Sequence, residues 1–301
     1  MADISVKLFG EKLKTPLIPA SGVWGYGDEY DFVDQKYLGA FVTKGLSVRP
    51  REGNPVPRIA ETECGMLNSV GLNNVGIKYF IEEKLPKVKN LGTKIIVNFF
   101  GNTEEEYIEA AKMLANVPEV FALEMNVSCP NVKSGGIAFG QDPKLIEDLT
   151  ASVKKITSKP LIVKLTPNVT NIPIIAKAAE FGGADAVSLI NTVRGMSIDI
   201  KTKRPTLATP IGGYSGKAIK PIAVRAVYET AKEIKIPIIG IGGIYTAEDV
   251  IEFLMAGATA VQIGSAVFAN PNICEIISKN LITYCENNDI KNLLSLYKAA
   301  L

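Results

Sequence analysis

The sequence predicts an α/β protein folded as a single (β/α)8 TIM barrel, with an N-terminal β-hairpin and long inserted loops over the C-terminal face. Three observations carry this prediction. Eight short runs rich in β-branched residues are spaced along the 301 residues. Nearly all are continuously apolar rather than alternating, the mark of strands buried on both faces of a parallel sheet. Longer amphipathic stretches separate the runs, so βα units follow one another along the chain. An open doubly wound sheet of the same units is the alternative architecture.

The elements follow in chain order. The segment Ile4–Pro16, with Phe9-Gly10-Glu11-Lys12 at its middle, reads as the hairpin. The strand runs are Leu17–Ser21, Phe41–Lys44, Ile95–Phe99, Phe121–Val127, Leu161–Leu165, Ala186–Asn191, Ile236–Gly242 and Ala260–Gly264. Helical stretches include Thr103–Asn116, Asp142–Thr157, Asn171–Phe181 and Thr246–Ala256. Thr103-Glu104-Glu105-Glu106 and Thr246-Ala247-Glu248-Asp249 each open with a capping hydroxyl followed by acids, as helix starts should. Two connections, Gly45–Val75 and Thr192–Gly216, are long, and long loops in a compact domain are usually functional. The uncharged stretch Phe253 to Ala269 is shorter than the ~20 residues of a membrane span. Gly257, Thr259, Gln262 and Ser265 interrupt it, and it reads as a helix end, a turn and a buried strand. Met1 to Lys7 lacks the apolar core of a signal peptide. No linker or domain boundary is visible, so residues 1–301 read as one domain.

Composition narrows the chemistry. Apolar residues make up 47% and charged residues 21%, as in ordinary soluble proteins. Lys+Arg 33 against Asp+Glu 31 leaves +2 and no basic run, so nothing points to nucleic acid. The chain has no histidine. That removes the commonest general base, the Ser-His triads and most zinc or non-haem iron sites, so no metal site is expected. Cys64, Cys129, Cys274 and Cys285 are scattered without a Cys-x-x-Cys pair. They write neither a disulfide scaffold nor an iron–sulfur cluster, and the expected compartment is the reducing cytoplasm.

The predicted strands end on polar residues or glycines. These are Ser21-Gly22, Lys44-Gly45, Asn98, Asn126, Lys164, Asn191-Thr192, Gly242-Gly243 and Gly264-Ser265. In a barrel of this kind those ends surround the active site. A buried polar group without a partner costs about 1–3 kcal/mol, and one large polar ligand would satisfy the set together. Singly, each has a plainer reading. An Asn at a strand end is usually a turn or cap residue, and Gly-Gly is a tight turn. Lys164, inside Ile162-Val163-Lys164-Leu165, could belong to a structural ion pair. Lys44 repeats that arrangement, and two such lysines point to an anionic ligand. Glycines closing the seventh and eighth strands match the usual phosphate position of the fold. Cys129 follows the fourth strand in a polar loop, a poor place for a core residue. With no histidine present, a thiol of reference pKa ~8.5 is a credible base. Cys274 and Cys285 read as helix packing, and Cys64 has no comparable setting.

These segments resemble the dihydroorotate dehydrogenase family of flavin enzymes over essentially the whole chain. Asn126-Val127-Ser128-Cys129-Pro130-Asn131 resembles its catalytic loop and Asn68-Ser69-Val70-Gly71-Leu72-Asn73 its substrate loop. Thr43-Lys44-Gly45, Val163-Lys164-Leu165, Ile190-Asn191-Thr192 and the two glycine loops fit in order. The resemblance implies one FMN per chain in the barrel mouth. Gly242, Gly243, Gly264 and Ser265 would take its phosphate; Ser21, Lys44, Gly45, Asn98, Asn126, Ile190 and Gly216 would line the flavin. Lys164 would face the pyrimidine edge of the ring. Lys44, Asn68, Ser69, Val70, Gly71, Leu72, Asn126, Asn131, Asn191 and Thr192 would hold the substrate. Cys129 would be the general base for oxidation of (S)-dihydroorotate to orotate, a step of de novo pyrimidine (UMP) biosynthesis.

Membrane-linked relatives carry serine at the base position and an anchoring extension; this chain resembles the soluble cysteine class. Gly212-Gly213-Tyr214-Ser215-Gly216-Lys217-Ala218-Ile219-Lys220-Pro221 resembles the NAD-linked type. In that type, a homodimer of this subunit joins an electron-transfer subunit bearing FAD and a [2Fe–2S] cluster, making a heterotetramer. The fumarate-linked homodimeric type is the alternative within the family. A sugar-phosphate lyase or isomerase, and a non-catalytic flavin- or nucleotide-binding protein, are the alternatives outside it.

Overall fold

A computed structural model describes residues 2–128 and 139–301. Eight parallel strands form one sheet: β1 (Leu17–Pro19), β2 (Ala40–Val42), β3 (Lys94–Phe99), β4 (Val120–Asn126), β5 (Leu161–Lys164), β6 (Ala186–Leu189), β7 (Ile238–Ile241) and β8 (Ala260–Ile263). They run in the order β1-β8-β7-β6-β5-β4-β3-β2. At the seam, the Gly39 amide donates to the Leu17 carbonyl at 2.9 Å. A Cβ on Gly39 would stand 2.2 Å from the Thr15 carbonyl oxygen, so only glycine lets β1 and β2 come together. The arrangement is a (β/α)8 barrel, as expected. The strands are shorter than the apolar runs suggested: Ser21, Lys44, Leu165, Asn191, Gly242 and Gly264 lie just beyond the ladders. The chain has turned there toward the barrel mouth.

The helices start where capping chemistry puts them. Helix α1 (Glu104–Ala115) is capped by Thr103, α2 (Pro143–Lys154) by Asp142 and α3 (Ile172–Phe181) by Asn171. Each cap side chain accepts from a backbone amide in the first turn. Helix α4 (Lys220–Glu233) follows β6. Helix α5 (Ala247–Met255) opens with a reciprocal capping box between Thr246 and Asp249. Helix α6 (Ile273–Asn287) completes the ring and buries Cys274 and Cys285, as their sequence setting suggested. After β2 the helical turn is irregular: Ile77–Tyr79, a wider π-helical turn at Phe80–Lys84, then Leu85–Val88. Among the described residues no helix is long and apolar enough to cross a membrane.

The hairpin pairs Val6–Leu8 with Glu11–Leu13 around Phe9 and Gly10, both at positive φ. It closes the N-terminal end of the barrel. Val6, Leu8 and Leu13 pack on an interior layer with Ile18, Val42, Ile96, Ala122, Ile162, Ala186, Ile239 and Ala260. The alternate strand residues, such as Leu123, Met125 and Val163, join the helices in the larger outer core.

The two long connections are more ordered than loops. Ile59–Thr62 and Gly65–Asn68 form a hairpin in one; Val193–Gly195 and Gly212–Ser215 pair in the other. Gly213↔Asn68 and Ser215↔Met66 then join both into one four-stranded antiparallel sheet. The contact is intimate: a Cβ on Gly216, at φ +124°, would lie 2.4 Å from Gly65 Cα.

Candidate active site

Side chains alternate across a strand, so every second residue faces the barrel interior. Two residues above the apolar layer, the interior positions become polar: Asn98 above Ile96, Glu124 above Ala122, Lys164 above Ile162, Ser188 above Ala186 and Gln262 above Ala260. Glu124 is the hub of this layer and is wholly buried. Its Oε1 accepts from Asn98 Nδ2 at 2.7 Å and faces Lys164 Nζ at 3.5 Å. Its Oε2 accepts from Ser188 Oγ at 2.9 Å and Gln262 Nε2 at 2.5 Å. Lys164 is therefore ion-paired, as the plainer reading of its strand position allowed.

Above this layer opens a cavity of about 650 Å³, between the strand ends and the four-stranded mouth sheet. Ligand pockets span roughly 300–1,000 Å³. Every predicted site residue among the described residues lines it. Ser21, Gly45, Asn98, Asn126 and Lys164 come from the first five strand ends. Ile190, Asn191, Thr192 and Gly216 come from the sixth and its long connection. Gly242, Gly243, Gly264 and Ser265 close the far side. The stretch Asn68, Ser69, Val70, Gly71, Leu72 forms the roof with Lys44 beneath it. The other two predicted residues, Cys129 and Asn131, lie outside the described residues. The described chain leads up to them through Asn126 and Ser128, whose side chains both receive Asn191 Nδ2, at 3.3 and 2.9 Å. Tyr107 Oη steadies the same strand end by donating to the Asn126 carbonyl at 2.6 Å.

The cavity favours anions. The charged residues lining it are Lys44, Arg58 and Lys164, and no carboxylate among the described residues lines it. Glu124 neutralises Lys164 from below. Lys44 has no such partner: its Nζ donates to Asn73 Oδ1 at 3.1 Å, and no described carboxylate lies within ion-pair distance. Burial pushes the Lys44 ammonium below the usual lysine range; the Glu29 carboxylate, beyond ion-pair distance, opposes this in part, and the Arg58 charge adds to it. Asn73 is itself fixed by donating to the Arg51 and Glu52 carbonyls at 3.1 and 2.9 Å. On the roof, Ser69 Oγ is buried without a hydrogen-bond partner among the described residues.

The glycines divide into two kinds. Gly242 and Gly243 have φ of +131° and +71°, and an added Cβ would stand 2.8 Å from Ala223 Cβ and 2.7 Å from Lys220 Cβ. Their smallness is demanded by the start of α4. Gly45 likewise lies against Asn98, its notional Cβ 2.8 Å from Oδ1. Gly264 differs: its φ is ordinary and a Cβ there would meet nothing within 4 Å. No described neighbour requires glycine at that position. Beside it, the hydroxyls of Tyr245 and Ser265 are 3.1 Å apart.

Sequence reasoning missed Glu124, Asn73, Arg58 and Tyr245. A single carboxylate inside the apolar run Val120-Phe121-Ala122-Leu123-Glu124-Met125 was the available signal for the first. Asn73 ends the roof segment already singled out, but its bond to Lys44 depends on the folded loop.

The dihydroorotate dehydrogenase family model matches residues 3–284. The chain belongs to the dihydroorotate dehydrogenase family. Curated relatives agree in sequence along nearly the full length. One from Geotalea uraniireducens (strain Rf4) is 53% identical over 296 residues, covering 97% of both chains. Another from Geobacter sp. (strain M21) is 51% identical over 298 residues, covering 99% of this chain and 98% of its own. A third, from Geobacter sulfurreducens, is 51% identical over 292 residues, covering 97% and 96%. Each is named as the catalytic subunit of dihydroorotate dehydrogenase B (NAD(+)). The family assignment agrees with the resemblance read from the sequence.

Proposed function

We propose that this chain oxidises (S)-dihydroorotate to orotate in de novo pyrimidine biosynthesis, as the FMN-bearing catalytic subunit of an NAD-linked dihydroorotate dehydrogenase. The observation that carries the reading is the single cation-lined cavity in which every described motif of the family meets. The residues fit FMN. Gly264 leaves open space that a bound group would fill, Ser69 has an unspent buried hydroxyl, and the lining offers cations and amides to an anionic, amide-rich ligand.

In this reading Gly242, Gly243, Gly264 and Ser265 hold the phosphate. Ser21, Gly45, Asn98, Asn126, Ile190 and Gly216 line the ring system, and Lys164 lies at its pyrimidine edge. The bound flavin supplies a two-electron acceptor for the hydride leaving the substrate. Lys44 and the roof from Asn68 to Leu72, with Asn126, Asn131, Asn191 and Thr192, orient the pyrimidine and its carboxylate. The Cys129 thiolate removes a proton from the ring carbon next to the one that loses hydride. Lys44, with no carboxylate within ion-pair distance among the described residues, gains a close counter-charge from the substrate carboxylate. The mouth sheet roofs the cavity and limits water. The relatives' names support NAD+ as final acceptor. Electrons would reach it through a separate subunit carrying FAD and a [2Fe–2S] cluster, joined to a homodimer of this chain.

Anaerobic titration of the purified chain with L-dihydroorotate tests the core of this reading. Bleaching of a bound flavin band is expected. A colourless protein that refuses added FMN would overturn it.

A further inference from the structure

We propose that Glu124 is a positioning residue of the flavin site, holding Asn98 and Lys164 in place and supplying the buried counter-charge of the Lys164 ammonium. This rests on the flavin reading above.

Four donors reach the Glu124 carboxylate from four other strands: Asn98 on β3, Lys164 on β5, Ser188 on β6 and Gln262 on β8. They occupy both oxygens and account for the capacity of an ionised carboxylate. The three neutral donors lie within 3.0 Å, whereas Lys164 Nζ stands off at 3.5 Å. The neutral groups thus fix the carboxylate, and the ammonium is held by charge rather than by a tight bond. An ammonium has three N–H groups, and Glu124 takes one. No other described residue bonds to Lys164, which lines the cavity floor. The remaining N–H groups are available to a ligand above.

Stability alone does not explain such a layer. Apolar side chains of similar volume commonly replace a buried ion pair without loss. Here the layer also leaves Gln262 Oε1 buried without a partner among the described residues. A barrel selected only for packing would continue the apolar layer beneath. The layer instead ties Asn98 and Lys164, two cavity residues, to one anion.

The charged groups facing Lys164 are few. Glu124 lies below it, and Asn98, Ser188 and Gln262 beside it are neutral. Lys44 and Arg58 are the other charged residues lining the cavity, and both are cationic. Replacing Glu124 by Gln therefore removes the opposing charge that holds the buried Lys164 ammonium in place.

The test compares wild type, Glu124→Gln, Lys164→Met and the double variant as flavin-loaded full-length chains. The first readout is the reduction potential of the bound flavin. A cation at the ring favours the electron-rich form, so Lys164→Met should lower the potential. In the Glu124→Gln background the same substitution should lower it by less, because Lys164 is no longer held at the ring. An equal effect in both backgrounds overturns the proposal. The second readout is the melting temperature. Glu124→Gln should melt lower than wild type, and adding Lys164→Met should restore part of the loss. No restoration overturns the proposal, as does a double variant that fails to fold wherever Glu124→Gln does. A wild type that binds no flavin sinks the functional reading instead, and the melting comparison still decides whether Glu124 serves Lys164.

Discussion

Lys44 Nζ donates to Asn73 Oδ1 at 3.1 Å, and this neutral amide is its only side-chain partner among the described residues. The contrast with Lys164, which has Glu124 at 3.5 Å, assigns the two strand-end lysines different work. One is neutralised from within the barrel. The other has no carboxylate within ion-pair distance among the described residues, and Glu29 acts on it only from farther away.

Lys44→Met should therefore weaken orotate binding about 10- to 100-fold, the worth of a hydrogen bond to a charged group. Binding to wild type should weaken as pH rises through the lowered Lys44 pKa, because the ammonium is lost there. The variant should lack that pH dependence. The stability effect has the opposite sense. Between the lowered native value and the unfolded value of ~10.4, the unfolded chain binds the extra proton, so stability of the ligand-free protein rises with pH. Absorbance titrations with orotate across pH, and melts of the ligand-free protein, check both. An unchanged orotate affinity in the variant would remove Lys44 from the substrate site.

Cys129→Ala should retain bound flavin yet slow its reduction by dihydroorotate by about 10²–10⁴-fold, the usual worth of general-base catalysis. In wild type the reductive step should accelerate as pH rises through the thiol pKa. Stopped-flow absorbance under anaerobic conditions measures both. An unchanged rate in the variant excludes Cys129 as the base.

The two kinds of glycine separate folding from ligand binding. Gly242→Ala places a Cβ at φ +131°, 2.8 Å from Ala223 Cβ, and should lower stability by about 1–2 kcal/mol or more. Gly264→Ala adds a Cβ that meets no described atom within 4 Å and should leave the melting temperature of the flavin-free chain unchanged while weakening FMN binding. Thermal melts and flavin-fluorescence titrations distinguish the outcomes. A Gly264→Ala chain that binds FMN normally would remove the phosphate site from β8.

Thiol reactivity should follow burial. Cys64 is exposed, whereas burial pushes the Cys274 thiol up to about 12 and raises Cys285 as well. In a Cys129→Ala background, a thiol-specific disulfide reagent should modify Cys64 rapidly and the two helix thiols only after unfolding. Rapid modification of Cys274 in the native protein would contradict its place in the core.

Sequence alone marked the repeating units and where their helices begin, though the strands end earlier than their apolar runs. Continuous apolar runs marked all eight strands, and Thr103, Asp142, Asn171 and Thr246 marked helix starts, because burial and capping act within a few residues. The hairpin turn at Phe9-Gly10 was legible for the same reason. The strand-end residues of the candidate site were legible as polar ends on apolar strands, whereas Asn68 to Leu72 and Gly216 were legible only through the family resemblance. Only the tertiary structure decided how they work together. The mouth sheet joins Gly213 to Asn68, strands of four residues each, whose register no local pattern fixes. Glu124 became a hub only when barrel closure brought Asn98, Lys164, Ser188 and Gln262 to it from four strands. Gly242 and Gly264 read alike in sequence, yet one is pressed against α4 and the other faces open space. Local periodicity records which side of an element is buried; the partner across the barrel is set by long-range packing, which no short window of sequence contains.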